Sequence, residues 1–294
     1  MKYIYILIAL LIFSACKMND ELEQNSIFPT EETKPINDFD KWILGNFTTP
    51  YNTVFNYRLD DKETDMSYNL VPANFDRAVA LAKFTNYLWY EAYEELLGKE
   101  FVCTYAPKMI QLIGSPAYNS SGSIVLGTAE GGLKVTLYNV NSIDLSSIDT
   151  EHLNYWYFKT MHHEFSHILH QTKNYSTDFN LLSPENYTGG SWVNVSDKEA
   201  LDLGFVSPYG SSEPQEDFVE IIAIFVTSTE ADWNALIGNA NSAGREIIDA
   251  KFALIKDYLK ESWGFEIEDL RDIVQRRSTE VEGWKVEDLT KLCF

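Results

Sequence analysis

Residues 158–171 hold a histidine pattern that constrains the fold more than any other part of the chain. The pattern is His163-Glu164-x-x-His167. Residues four apart on an α-helix lie one turn apart on the same face, so both imidazoles can bind one metal ion beside the glutamate. At about 100° per residue, His163, His167 and His170 form a single polar stripe. The apolar residues fall on the opposite side: Phe158, Met161, Phe165, Ile168 and Leu169. We therefore expect a helix with one face in the core and a histidine face lining a cleft.

The small number of histidines makes this pattern a specific signal. All five histidines lie between His152 and His170. A chance match to the HExxH pattern in such a chain is a coincidence on the order of one in a hundred. The alternative is a surface helix with an accidental histidine cluster. The sequence favours a metal site of the zinc-peptidase type, with Glu164 as general base.

Charge and composition narrow the possible partners. The net charge of −21 opposes binding to a phosphate backbone, which excludes nucleic acid as an expected partner. With 45% hydrophobic residues, the 294-residue chain can build one large core or two small ones. We expect a well-hydrated monomer that acts on a peptide or protein substrate.

The N-terminus predicts a targeting segment and a lipid anchor. Residues 1–15 read as a signal peptide, with Lys2 followed by an apolar run over residues 3–13. Phe13-Ser14-Ala15-Cys16 resembles a bacterial lipobox, in which the cysteine is lipidated, although Phe13 stands where leucine is usual. The run is shorter than the ~20 residues of a spanning helix. We expect lipidation at Cys16; an ordinary cleaved signal and an uncleaved anchor are the alternatives.

The next segment predicts a tether that leads to one domain. Residues 16–44 are acidic and contain two prolines, which is typical of a flexible linker. The folded domain is then predicted over residues 45–294. Cys103 and Cys293 could pair in an oxidising compartment or remain two separate buried thiols.

The order of the predicted elements indicates an α+β fold. A helix over residues 72–97 precedes short strands, and Glu130-Gly131-Gly132 predicts a hairpin turn. Strands are expected over residues 53–59, 109–113, 124–128 and 133–140. After the histidine helix comes an irregular stretch over residues 172–212 that is rich in aromatic residues. Helices are expected over residues 214–229, 243–260 and 267–277. A small mixed sheet, an HExxH helix and a mainly helical C-terminal half predict a zincin-like domain whose outer strand can hold an extended substrate.

Three protein ligands are expected at a catalytic zinc, and the third must come from outside the pattern. His170 would lie about 10 Å along the helix axis from His163, so it is better suited to line the cleft or to contact a residue that binds the zinc. Residues 216–220 are a better source, because Glu216 and Glu220 lie one turn apart on an otherwise apolar helix. Buried carboxylates without partners are costly. A solvated acidic face is the alternative.

The spacing Tyr209-x6-Glu216-x3-Glu220 after HExxH resembles the gluzincin arrangement of the catalytic domain of anthrax lethal factor. This resemblance implies that zinc is bound by His163, His167 and Glu216. It also implies that Glu164 is the base and that Tyr209 faces the substrate oxyanion. Glu220 would contact one of the residues that bind the zinc.

Most of residues 45–294 resembles a family of zinc-binding metallopeptidase lipoproteins of Gram-negative bacteria. The shared features are the lipobox, Tyr57-Arg58-Leu59-Asp60-Asp61, the His-His-Glu-Phe-x-His-x-Leu-His-Gln helix and the Glu-Asp-Phe-x-Glu helix. The resemblance implies a peptidase-like fold, a nutrient-import complex as partner, and an outer-membrane or cell-surface location, with the periplasmic face possible. Two other functions remain open: a metal hydrolase of non-peptide amides or esters, and a non-catalytic binding accessory of an import system.

Overall fold

The computed structural model describes residues 36–292, apart from residues 61, 63, 66, 119–123, 126, 131 and 132. The predicted signal segment, Cys16, most of the predicted tether and Cys293 lie outside the described residues. Cys103 donates a hydrogen bond to the carbonyl oxygen of Pro50 at 3.1 Å. Within the described part of the chain, no helix has the length and apolar character needed to cross a bilayer.

The compact unit begins at Asp38, with helix α1 (Asp38–Ile43) and the π-helical turn Leu44–Thr48 that continues it. Phe39, Trp42 and Phe47 are buried in the main core. The predicted start of the domain at residue 45 falls inside this packed segment. The acidic composition of this segment led to the prediction of a tether. Its apolar residues, however, recur at the spacing of a helix that packs on one face.

The described residues form a four-stranded mixed sheet. Its strands are β1 (Val54–Asn56), β2 (Met109–Leu112), β5 (Gly127–Glu130) and β6 (Lys134–Leu137). Their order is β1-β2-β6-β5, with parallel pairing except for the edge strand β5, which is antiparallel to β6. A separate antiparallel pair is made of β3 (Ala117–Tyr118) and β4 (Ile124–Val125). The small mixed sheet confirms the sequence prediction. The strand predicted over residues 124–128 is instead divided between β4 and β5, and residues 131 and 132 of the predicted turn lie outside the described residues.

The first long helix is built in two parts. Helix α2 (Phe75–Thr85) passes through the π-helical turn Asn86–Tyr90 into α3 (Glu91–Leu97). Asn74 caps α2 by accepting hydrogen bonds from two backbone amides, which explains why the helix starts later than residue 72. Gly98 ends α3 with a positive φ of 82°.

The remaining helices make the chain mainly helical. They are α4 (Lys99–Tyr105), α5 (Thr150–Leu153), α6 (Lys159–Thr172), α7 (Asp197–Leu203), α8 (Pro214–Thr227), α9 (Glu230–Gly238), α10 (Ser242–Tyr258) and α11 (Ile267–Glu282). Helix α7 lies in the stretch predicted to be irregular. Only the residues at its two ends mark it in the sequence: Ser196 caps its N-terminus and Gly204 ends it with a φ of 93°.

Helix α8 is the central helix of the C-terminal half. It packs against α6 on one side and against α10 and α11 on others. Phe218, Val219 and Phe225 are buried in the core. Because α8 is held on several sides by apolar contacts, its two glutamates are held beside α6.

Candidate metal centre

Helix α6 carries the HExxH pattern and is anchored by its apolar face. It continues from α5 through the π-helical turn Asn154–Phe158. Met161, Phe165 and Leu169 are each at most 3% exposed. This burial confirms the predicted core face. His162 also lies in the core, where its Nδ1 is 2.9 Å from the hydroxyl of Tyr93.

Three side chains from α6 and α8 converge on one point. Glu216 Oε2 lies 3.0 Å from His163 Nε2, and Glu216 Oε1 lies 3.4 Å from His167 Nε2. One potential ligand atom from each of these residues lies within 4.8 Å of the others. In the part of the chain that the structure describes, this is the one group of histidine, cysteine and acidic residues arranged to hold a metal ion.

The donor set fits zinc. Two imidazole nitrogens and one carboxylate oxygen are the protein ligands typical of catalytic zinc, which leaves a fourth position for a reactant. Glu216 Oε2 is buried, and no hydrogen-bond donor is aligned with it in the described structure. A buried carboxylate oxygen without a donor is costly, and a cation between the three side chains would remove that cost.

The electrostatics of the centre also favour a cation. Burial alone would lower the pKa of His163, but the neighbouring carboxylates of Glu216 and Glu220 outweigh it and raise the pKa to about 9. Burial likewise opposes ionisation of Glu216, yet its contacts with both histidines hold its pKa well below the usual range. The two acids therefore remain ionised around the histidines at neutral pH.

Glu220 orients His163 from the side away from Glu216. His163 Nδ1 donates to Glu220 Oε1 at 2.9 Å, and Glu220 Oε2 accepts from Lys159 Nζ at 3.1 Å and from Ser207 Oγ at 2.6 Å. Burial would raise the pKa of Glu220, but Lys159 and these hydrogen bonds lower it to about 2. The ionised carboxylate keeps a proton on His163 Nδ1, so Nε2 is the nitrogen that binds a metal once the metal displaces its proton.

His170 contacts His167 and is not part of the ligand group. His170 Nε2 lies 2.9 Å from His167 Nδ1. Burial, reinforced by the neighbouring His167, lowers the pKa of His170 to about 4, so its ring is neutral at pH 7 and can accept this hydrogen bond. The His167 ring is thereby oriented with Nε2 toward Glu216.

Glu164 and Tyr209 flank the centre. Burial raises the pKa of Glu164, and the charges of Glu216 and Glu220 add to the rise against the opposing effect of the two histidines. The ring of Tyr209 stacks on His163 with centroids 5.9 Å apart and an interplanar angle of 29°. Burial and the charge of Glu216 raise the pKa of Tyr209, so its hydroxyl stays protonated.

The sequence did not assign a role to several residues that support these side chains. Ser207 joins the turn Tyr209–Ser211 to Glu220, because its Oγ also accepts from the backbone amide of Gly210 at 3.1 Å. Lys159 lies one turn before His163 on the same helix face. That position could have marked it in the sequence as a partner for one of the acidic residues.

A buried ion pair lies directly behind Glu216. Asp217 and Lys251 are both fully buried, with Lys251 Nζ 2.6 Å from Asp217 Oδ2. The same Asp217 oxygen accepts from the Tyr187 hydroxyl at 2.8 Å, and Lys251 also donates to the Gly204 carbonyl at 2.8 Å. Lys251 comes from an ordinary amphipathic helix, α10, where its sequence neighbours give no sign of this contact.

The fold and the centre together define a zincin-like metallopeptidase. An HExxH helix faces a second helix that carries a glutamate ligand, and the edge strand β5 lies beside the HExxH helix. The sequence of residues 32–268 matches the model of a family described as "Putative zinc-binding metallo-peptidase", and the chain belongs to this family.

One solved structure is similar over almost the whole chain. It is a crystal structure from Bacteroides caccae ATCC 43185, whose title describes a "putative zinc-binding metallo-peptidase". The identity is 44%, the TM-score is 0.76, and the match covers 91% of this chain and 100% of that chain. No curated protein is significantly similar. The family, the zincin-like fold and zinc as the metal are therefore confirmed, whereas the likeness to lethal factor and the lipoprotein assignment stay predictions.

Proposed function

We propose that the protein is a zinc-dependent hydrolase of peptide bonds, of the HExxH gluzincin type. The observation that carries this proposal is the convergence of His163, His167 and Glu216 beside Glu164. A structural zinc site would not require Glu164, which is a partly buried carboxylate next to the metal position but not a ligand. Its presence favours turnover over metal storage or a purely structural role.

Each side chain has a defined task in this proposal. Zinc held by His163, His167 and Glu216 would supply Lewis-acid polarisation of the attacking water and of the substrate carbonyl. Glu164 accepts the proton of the attacking water, because burial makes its carboxylate a stronger base. The Tyr209 hydroxyl donates a hydrogen bond to the carbonyl oxygen as negative charge develops there.

Two residues that do not bind the metal orient the imidazole rings of the centre. Glu220 holds the His163 ring and His170 holds the His167 ring, each through Nδ1 at 2.9 Å. Partners of this kind fix which nitrogen faces the metal, and their loss typically reduces metal affinity about 10–100-fold.

We further propose that the enzyme is a lipid-anchored protein of the outer membrane or cell surface, associated with a nutrient-import complex. The support is the pattern of residues 1–16 and the resemblance to metallopeptidase lipoproteins. Substrate peptides would be cleaved outside the cytoplasm before uptake.

A cleavage assay tests the catalytic proposal. Zinc-loaded protein is incubated with a quenched-fluorescent peptide library, and cleavage sites are read by mass spectrometry. We expect Tyr209→Phe to keep the metal and to lower kcat rather than raise KM, because its hydrogen bond is stronger in the transition state. Zinc binding without cleavage of any peptide would instead favour a binding accessory, and cleavage of esters or non-peptide amides alone would favour the other hydrolase class.

A further inference from the structure

A row of aromatic rings leads from the metal centre to the surface. Tyr209 stacks on His163, and the Trp192 ring meets Tyr209 edge-on with centroids 5.0 Å apart and an interplanar angle of 71°. Trp192 belongs to the 3₁₀ turn Gly189–Asn194, which forms part of the long segment between the two ligand helices. The indole therefore lies next to the side chain that is proposed to contact the reacting carbonyl.

The outer part of this row is apolar and open to solvent. Tyr209 is 37% exposed, Trp192 is half-buried, and Val193, which follows Trp192 in the chain, is 48% exposed. Neither the phenol nor the indole is sequestered in the main core. Exposed apolar surface beside a reactive centre commonly marks a binding surface, because covering it with a ligand removes it from water.

The turn that carries Trp192 is fixed to the turn that carries Tyr209. The Thr188 amide donates to the Ser211 carbonyl at 2.7 Å, and the Gly189 amide donates to the Ser212 carbonyl at 3.1 Å. The hydroxyls of Thr188 and Ser211 lie 3.1 Å apart. Because these bonds hold the two rings in register before any ligand arrives, binding there requires little ordering of the protein.

The edge strand β5 beside the HExxH helix offers a path for an extended substrate. The edge strand β5 lies beside α6 and has one unpaired edge among the described strands. A peptide that adds to this edge is extended, so successive side chains point to opposite faces. At most one of the two residues that flank the reacting bond can then face Tyr209 and Trp192.

We propose that Trp192, with Tyr209 and Val193, is a specificity surface for an aromatic side chain next to the scissile bond. This inference rests on the proposed peptidase function and names the substrate class of that site. Aromatic rings pack edge-to-face or offset on indole and phenol, with a gain beyond the buried area. An indole can also attract a lysine ammonium, but the ammonium is strongly hydrated and loses more on leaving water than an aromatic ring does.

A paired substrate series tests the inference. Quenched-fluorescent peptides carry Phe, Ala or Lys on either side of one cleavable bond, and kcat/KM is measured with zinc-loaded protein. We expect the wild type to prefer Phe over Ala about tenfold at one of the two positions. Trp192→Ala should reduce this preference to about twofold without changing the zinc content, and Trp192→Phe should keep most of it. Leu44→Ala removes a large exposed side chain from the N-terminal helical segment and serves as the matched control, with no effect expected.

A binding measurement separates the inference from the proposed function. Calorimetry of the Phe peptide with zinc-loaded Glu164→Gln, with and without Trp192→Ala, should give a Kd about tenfold weaker in the double variant. A Phe preference that survives Trp192→Ala, or a stronger preference for Lys, would overturn the specificity surface. Loss of binding on Trp192→Ala in a protein that cleaves no peptide would support the surface and refute the hydrolase. Failure to bind the Phe peptide would overturn the surface, whatever the activity.

Discussion

Replacing Lys251 with methionine tests whether the buried ion pair holds the second ligand helix in place. The Lys251→Met variant keeps the length of the side chain and removes its charge. Asp217 is then left fully buried without its cation, and the Gly204 carbonyl loses its donor. Removing one partner of a buried pair costs about 3–5 kcal/mol. For a domain of this size, the loss corresponds to a melting temperature lower by roughly 10 °C.

Urea and thermal unfolding of chelator-treated protein measure this loss without the contribution of the metal. The double variant Asp217→Asn, Lys251→Met removes both charges together, so we expect it to regain most of the lost stability. The affinity for zinc should follow the same order, since Glu216 precedes Asp217 on α8. A single variant that loses less than about 1 kcal/mol, or a double variant no more stable than the single one, would refute the reasoning.

The other predictions concern the metal, the base, the anchor and a surface ion pair. Glu216→Ala should lose stoichiometric zinc by metal analysis while His170→Ala keeps it; the reverse result would mean that the third ligand is misassigned. Glu164→Gln should keep zinc and fold but lower peptide hydrolysis by about 10² or more, and unchanged activity would exclude Glu164 as the base. Cys16→Ser should prevent lipidation, which mass spectrometry of the mature N-terminus checks; an unmodified N-terminus elsewhere in the wild type would contradict the anchor. Glu95, whose pKa is lowered because two arginines of α11 outweigh its partial burial, should stabilise the fold above its ordinary pKa and lose this effect as pH falls. Glu95→Gln should therefore lower the melting temperature more at pH 7 than near pH 3, and an equal effect at both values would contradict an ionic contribution.

Local periodicity predicted the metal-binding helix. The histidine stripe of α6 and its apolar face repeat every three to four residues, so a single helix encodes both the ligands and their direction. The same reasoning applied to Glu216 and Glu220, because two acids on an otherwise apolar helix need partners in a folded protein. The sequence predicted that Glu216 would meet the two histidines, and the structure brings these three residues together.

Contacts between distant segments were not predictable in this way. Trp192, Ser207 and Lys251 each act on the centre through a neighbour that is far away along the chain or lies in an irregular turn. No period in the sequence marks such a contact, because it depends on the path of the segment between α6 and α8. The helix α7 was missed for a related reason: one cap, seven residues and a glycine are too short for a clear repeat.

The zinc ligands lie on two helices that are far apart in the sequence, and this affects how well the protein resists proteolysis. His163 and Glu216 are separated by a long segment that contains several 3₁₀ turns and little regular structure. A metal bound to both ends closes this segment into a loop of about 50 residues, a constraint comparable with a disulfide and worth about 4 kcal/mol in the chain-entropy model. Without zinc, the loop would be the region that opens first and offers proteases an unfolded strand. The zinc supply would then set not only how fast the enzyme works but also how long each molecule survives among other proteases.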